Sequence, residues 1–298
     1  MATRTSQVIF AFAVVYLVWG STYLGIRIAV QSDWPPALFA GERFVAAGLL
    51  MLAYARFTGA PWPRALADWR TIAISGVLML VGANGLVTWS EQWIASNQAA
   101  LIVATSALWL AWMGTWGAQG EKLNPVTVLG LLLGFGGVAV LVGSGVLQHG
   151  GPVKAYIGLA ASPLLWSAGS IYARRHPVGT TPIMSAALQT CVAAVGLMAI
   201  ALANGDPARW HYQPRAMAAM VYLVLFGSCL AYGAYVWLVH NVSPARLGTY
   251  AYVNPAVAVL LGWWMLDEQL NRAQVLGTLT ILVGVVIVTF ASGRRKPA

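Results

Sequence analysis

Fourteen tryptophans stand in this chain, and four of them, Trp19, Trp109, Trp112 and Trp166, fall deep within long apolar runs. An indole offers a broad apolar face and one N–H donor, which suits it to packing against the ring or aliphatic part of a small molecule. The others (Trp34, Trp62, Trp69, Trp89, Trp93, Trp116, Trp210, Trp237, Trp263 and Trp264) lie at run ends or in loops. Aromatic residues there anchor a polypeptide at a membrane surface. Polar side chains inside the apolar runs form a second group. Asn84 and Thr88 are four residues apart, on one helix face. Tyr232 and Tyr235 belong to the second half, with Tyr252 and Asn254 after them. Hydrocarbon gives such groups no partners, so they bond to one another or to a ligand. As a set they can hold a substrate ammonium and carboxylate without fixed counter-charges.

Glu42 and Arg43 are the conspicuous charges within a run. Helix neighbours point about 100° apart, so the two need not face each other; Arg27 and Asp33 are alternative partners. They read either as a structural ion pair or, with Glu42 as the intramembrane carboxylate, as a proton-coupling site. Metal chemistry has no support in the pattern. His149, His176, His211 and His240 lie near loops without ligand spacing, and no GxSxG or HExxH string occurs. No enzyme activity, metal or cofactor is therefore expected. Gly134-Phe135-Gly136-Gly137 follows no strand and is not a dinucleotide fingerprint. Cys191 and Cys229 sit inside apolar runs and imply no disulfide framework.

These residues must be positioned by membrane helices. Of 298 residues, 59% are hydrophobic and only 8% charged, against about 25% charged in soluble chains. The apolar runs are continuous rather than alternating, which favours helices over a membrane barrel. Ten spans are expected, at 7–30, 36–56, 70–88, 93–116, 125–145, 154–173, 182–203, 216–238, 245–266 and 272–291. Asp33-Trp34-Pro35-Pro36, Asn124-Pro125 and Ser243-Pro244 are among the breaks, and the one near Glu91 is the weakest. The run after Arg4 is too long for a signal peptide's apolar region and reads as the first span. The net charge of +9 reflects cytoplasmic loops rather than a nucleic-acid partner. Eleven Lys and Arg residues fall on the N-terminal side and four on the other, so both termini are expected in the cytoplasm.

A shift of 147 residues lays the chain on itself. Leu17 and Trp19 meet Leu164 and Trp166, Arg27 meets Arg174, and Pro35 meets Pro182. Glu121-x-Leu123-Asn124 likewise meets Glu268-x-Leu270-Asn271, and Val128-Leu129-Gly130 meets Val275-Leu276-Gly277. In the middle the shift is 148, pairing Gly85 and Trp89 with Gly233 and Trp237. Two repeats follow, 1–147 and 148–298. Five spans is an odd number, so the second repeat enters the membrane inverted. Inverted repeats place a substrate near the midplane between the halves and exchange its access by rocking. Trp19 and Trp166 then lie symmetrically about the centre. Each chain carries both halves, so a monomer suffices.

Trp19-Gly20-Ser21, Arg43-Phe44 after the prolines of span two, Asn254-Pro255 in span nine and the two Glu-x-Leu segments resemble the drug/metabolite transporter superfamily, in its EamA-type branch. That resemblance implies ten helices with both ends inside and export of small metabolites across the inner membrane. Within the branch the chain looks most like bacterial exporters of aromatic and other neutral amino acids; a broad exporter of drugs or organic cations is the alternative. Ala107 stands opposite Pro255, so a proline kink is expected in only one half.

Overall fold

The computed structural model describes residues 2–117, 120, 125–149, 152–242, 244–267 and 272–293, and among them the secondary structure is helical with no strand. We label the helical stretches α1 (Ala2–Val30), α2 (Pro36–Phe57), α3 (Leu66–Ser90), α4 (96–113), α5 (Pro125–His149), α6 (Val153–Arg175), α7 (Pro182–Ala203), α8 (Pro214–Asn241), α9 (244–266) and α10 (Arg272–Gly293). Among the described residues five segments are long and apolar enough to cross a membrane: Thr5–Val30, Pro36–Phe57, Leu66–Ser90, Pro182–Ala203 and Pro214–Asn241. The segments 121–124 and 268–271 and the basic residues 294–296 lie outside the described residues.

Proline sets several starts. Pro36, Pro182 and Pro214 open α2, α7 and α8, where the missing N–H would have had no helical partner. Thr181 Oγ1 accepts from the Met184 N–H at 3.3 Å and closes the start of α7. The weak break near Glu91 is real: α3 ends at Ser90 and α4 begins at Ser96.

The helix of α9 is not broken at Pro255. Residues Tyr250–Leu266 form a continuous helix through Pro255. α9 is instead interrupted at Gly248-Thr249, and α4 at Ala104-Thr105 with no proline at all. At the α4 break Thr105 Oγ1 donates to the Ile102 carbonyl at 2.8 Å, a local side-chain bond that competes with helical pairing. Two further irregularities are matched. Val77–Asn84 in α3 and Leu223–Ala231 in α8 are wound as π-helix, and the two segments coincide under the repeat shift. Such windings concentrate at functional positions.

Packing follows the repeat. α2 lies along its counterpart α7, and α5 along its counterpart α10. α1 packs on α8 and α9, while its counterpart α6 packs on α3 and α4. The α5–α10 contact is reciprocal to the residue. A Cβ on Gly137 would come within 2.7 Å of the Gly277 carbonyl oxygen, and one on Gly284 within 2.5 Å of that of Gly130. Under the shift Gly130 becomes Gly277 and Gly137 becomes Gly284, so one close approach occurs twice. Small residues are what permit helix backbones to meet this closely.

Arginine reinforces the same symmetry. Arg27 Nη1 donates to the Glu91 carbonyl just past α3. Arg174 Nη1 donates to the carbonyls of Val239 at 2.8 Å and Val242 at 2.5 Å, at the end of α8. Arg27 and Arg174 are repeat partners, and so are positions 91 and 239. Each arginine satisfies carbonyls left open at a helix end and complements the negative end of its dipole. Arg174→Ala removes these charged bonds and should lower stability by about 1–3 kcal/mol, read as a reduced melting temperature of the purified protein.

Candidate functional site

A cavity lies where α1, α2, α3, α4, α6, α7, α8 and α9 converge. Its wall includes Trp19, Thr22, Arg43, Asn84, Ser162, Trp166, Thr190, Ser228, Tyr232 and Tyr250. The cavity measures about 70 Å³, below the ~300–1,000 Å³ of sites that enclose a drug-sized ligand. It is therefore narrow, and a ring-bearing ligand would lie in contact with the wall throughout.

The tryptophans form its centre. The rings of Trp19 and Trp166 meet edge to face, 5.3 Å between centroids. Trp19 also packs on Tyr235 at 4.9 Å and Tyr250 at 5.7 Å. Their polar ends are occupied. Trp19 Nε1 donates to the Gly227 carbonyl at 3.2 Å, within the π-helical turn of α8. Trp166 Nε1 donates to the Tyr235 hydroxyl at 2.9 Å, which in turn meets Ser170 Oγ at 2.8 Å. Tyr250 shares a 2.9 Å hydrogen bond with Ser106, and the Tyr232 hydroxyl donates to Gln189 Oε1. With these groups saturated, the aromatic surface presents its apolar faces inward and its geometry is fixed from behind.

The sequence-derived candidates divide. Trp19, Trp166, Asn84 and Tyr232 reach the cavity wall. Tyr235 is fully buried and supports the two indoles from outside the wall. Thr88 is turned into its own helix, donating to the Asn84 carbonyl at 2.9 Å. Trp109 is not at the site: it packs on Phe135 of α5 at 4.7 Å and on Trp112 at 5.6 Å. Asn254, with its amide nitrogen turned inward, donates to the carbonyls of Tyr16 and Tyr250, both at 3.2 Å. It ties α1 to α9 rather than facing a ligand. The side chain of Tyr252 lies outside the described residues.

Glu42 and Arg43 do not pair with each other. Arg43 is 4% exposed, lines the cavity and donates from Nε to Ser228 Oγ at 2.8 Å. Glu42 is half-buried beside the Trp210 indole and is not in the cavity wall. Glu91, read in the sequence only as a break, is fully buried. Arg43 thus places a fixed charge in the cavity wall.

Sequence reasoning missed Tyr250, Ser162, Thr190 and Ser228. The repeat register contained a signal for three of them. Under the 147-residue shift that pairs Trp19 with Trp166, Arg43 falls on Thr190 and Val103 on Tyr250, and under the 148-residue shift of the middle of the repeat Leu80 falls on Ser228 and Asn84 on Tyr232. All ten residues line the cavity.

A cavity drawn from equivalent positions of two halves, within helices of membrane length, defines a multi-pass membrane protein of the small-molecule transporter class. The model of the EamA-like transporter family matches twice, over residues 6–143 and 153–290, and the chain belongs to that family. It is 40% identical over 283 residues to the uncharacterized inner membrane transporter YedA of Escherichia coli strain K12, covering 94% of this chain and 89% of that protein. A chloroplastic WAT1-related protein of Arabidopsis thaliana is 25% identical, over 93% of this chain and 68% of its own. A solved crystal structure shares the fold, with a TM-score of 0.68 at 21% identity over 97% of this chain and 99% of that one.

Proposed function

We propose that the protein is a ten-span inner-membrane exporter of small neutral amino acids, aromatic ones among them. In this reading the second repeat is inverted, both termini are cytoplasmic, and a monomer works by alternating access around the central cavity. The observation that carries it is the contact of Trp19 with Trp166 at the junction of the two halves. The reciprocal glycine contacts and matched arginine caps support a twofold relation between the halves, and an odd number of spans per half makes that relation inverted. The inner membrane follows the relative that carries that description.

Aromatic faces also suit organic cations, and a broad exporter of drugs or cations is the competing reading. The Arg43 guanidinium in the wall opposes it. The experiment is uptake of labelled phenylalanine, threonine and methionine into proteoliposomes containing the full-length protein. Saturable uptake, competed by unlabelled amino acids and accelerated by amino acid trapped inside, supports the proposal. Failure to move any amino acid, with movement of tetraphenylphosphonium by the same preparation, replaces it with the cation exporter.

A further inference from the structure

We propose that Arg43 anchors an anionic group of the substrate, so that the cavity selects small carboxylates, amino acids among them, and rejects the corresponding free amines. This rests on reading the cavity as the transport site.

Three observations carry the inference. First, Arg43 is 4% exposed yet forms no ion pair among the described residues. Its Nε is held by Ser228 at 2.8 Å and its guanidinium lies 5.0 Å from the centroid of the Phe44 ring. Second, its Nη1 is buried in the cavity wall without a hydrogen-bond partner. Burying a cation is unfavourable unless an anion and hydrogen bonds compensate it. Here Nε is fixed by Ser228 while Nη1, on a residue of the cavity wall, keeps an unused donor. A ligand carboxylate completes the site with a charge-assisted bond, and the planar guanidinium suits that geometry. Third, no carboxylate is among the wall residues, so nothing in the wall competes for the guanidinium. The buried Glu91 acts on Arg43 through space but is not part of the wall. The site is also one-sided, because the repeat partner of Arg43 is the uncharged Thr190. Across the same cavity wall, Asn84 Oδ1 is a buried acceptor without a partner. It offers a place for the ammonium of a zwitterion, which a carboxylate-binding pocket does not otherwise explain.

The test is calorimetric titration of the purified full-length protein with phenylalanine, phenylpropionate and phenethylamine, which share a ring and differ in their charged groups. Wild type should bind phenylalanine and phenylpropionate, with phenethylamine about tenfold weaker or worse. Arg43→Gln should weaken both carboxylates by about 10- to 100-fold while phenethylamine binds no more weakly than to wild type, and Arg43→Lys recovers part of the loss. Binding of phenylpropionate without phenylalanine would support the anchor and overturn the amino-acid reading. Equal binding of phenylalanine and phenethylamine by wild type would overturn the anchor and leave the aromatic site standing, and this comparison needs no variant. Undiminished carboxylate binding by Arg43→Gln, or no carboxylate binding by a wild-type protein with an intact melting transition, would also overturn it.

Discussion

Replacing Trp19 and Trp166 together by alanine reduces substrate affinity more than 100-fold and abolishes saturable uptake. The two rings meet at 5.3 Å and hold their neighbours in place. Stacking and area burial by an indole against a ligand ring contribute about 1–3 kcal/mol per ring, so two rings at the middle of that range supply about 4 kcal/mol, above the ~2.8 kcal/mol that a factor of 100 requires. Trp109→Ala is the control. Its ring packs on Phe135 and Trp112 away from the cavity, so uptake per folded molecule stays within about twofold of wild type. Binding isotherms and initial rates on the same preparations separate loss of affinity from loss of protein. Equal uptake by the double variant would remove the aromatic pair from the site while leaving the fold intact.

The second large effect is structural. Gly137→Leu combined with Gly284→Leu places side chains where the facing carbonyl oxygens already lie 2.7 and 2.5 Å from a bare Cβ. No rotamer relieves a clash that begins at Cβ, so α5 and α10 must separate along their shared length. Overpacking in a core costs about 1–3 kcal/mol per site. With backbone as the obstacle at two reciprocal sites, the double variant should yield little monodisperse protein in detergent. Gly136→Leu is the contrast, since nothing lies within 4 Å of its Cβ; it should purify like wild type. Size-exclusion profiles of the three proteins decide the matter.

Much of this architecture is legible in residue order. Hydrocarbon is an unforgiving solvent for a backbone, so continuous apolar runs between prolines locate the helices closely. The 147-residue shift pairs Trp19 with Trp166 before any coordinates are known, and the structure brings them into contact. Side-chain direction is less legible. Trp109 lies as deep in its run as Trp19, yet helix phase turns one toward α5 and the other toward the cavity. Thr88 and Asn254 read in the sequence as stranded polar groups, but each finds a backbone carbonyl, the commoner fate of such residues. The π-helical turns at 77–84 and 223–231 leave no mark in composition, and they shift which face of α3 and α8 points inward. For Arg43 the sequence leaves a structural ion pair and a proton-coupling site both open, because residue order does not show which way the side chain turns. Only the packing of α2 against α8 shows it alone on the cavity wall beside Ser228.

Alternating access around this cavity is tested most directly with one thiol. Ser162 is 2% exposed and lines the wall, and Ser162→Cys changes little but the reactive atom. It is placed in a chain whose native thiols are removed by Cys191→Ser and Cys229→Ala. The account predicts that a membrane-impermeant thiol reagent modifies Cys at position 162 when applied from either side of the membrane, and that phenylalanine slows both reactions. Modification from one side only, or rates from both sides that phenylalanine leaves unchanged, would contradict it.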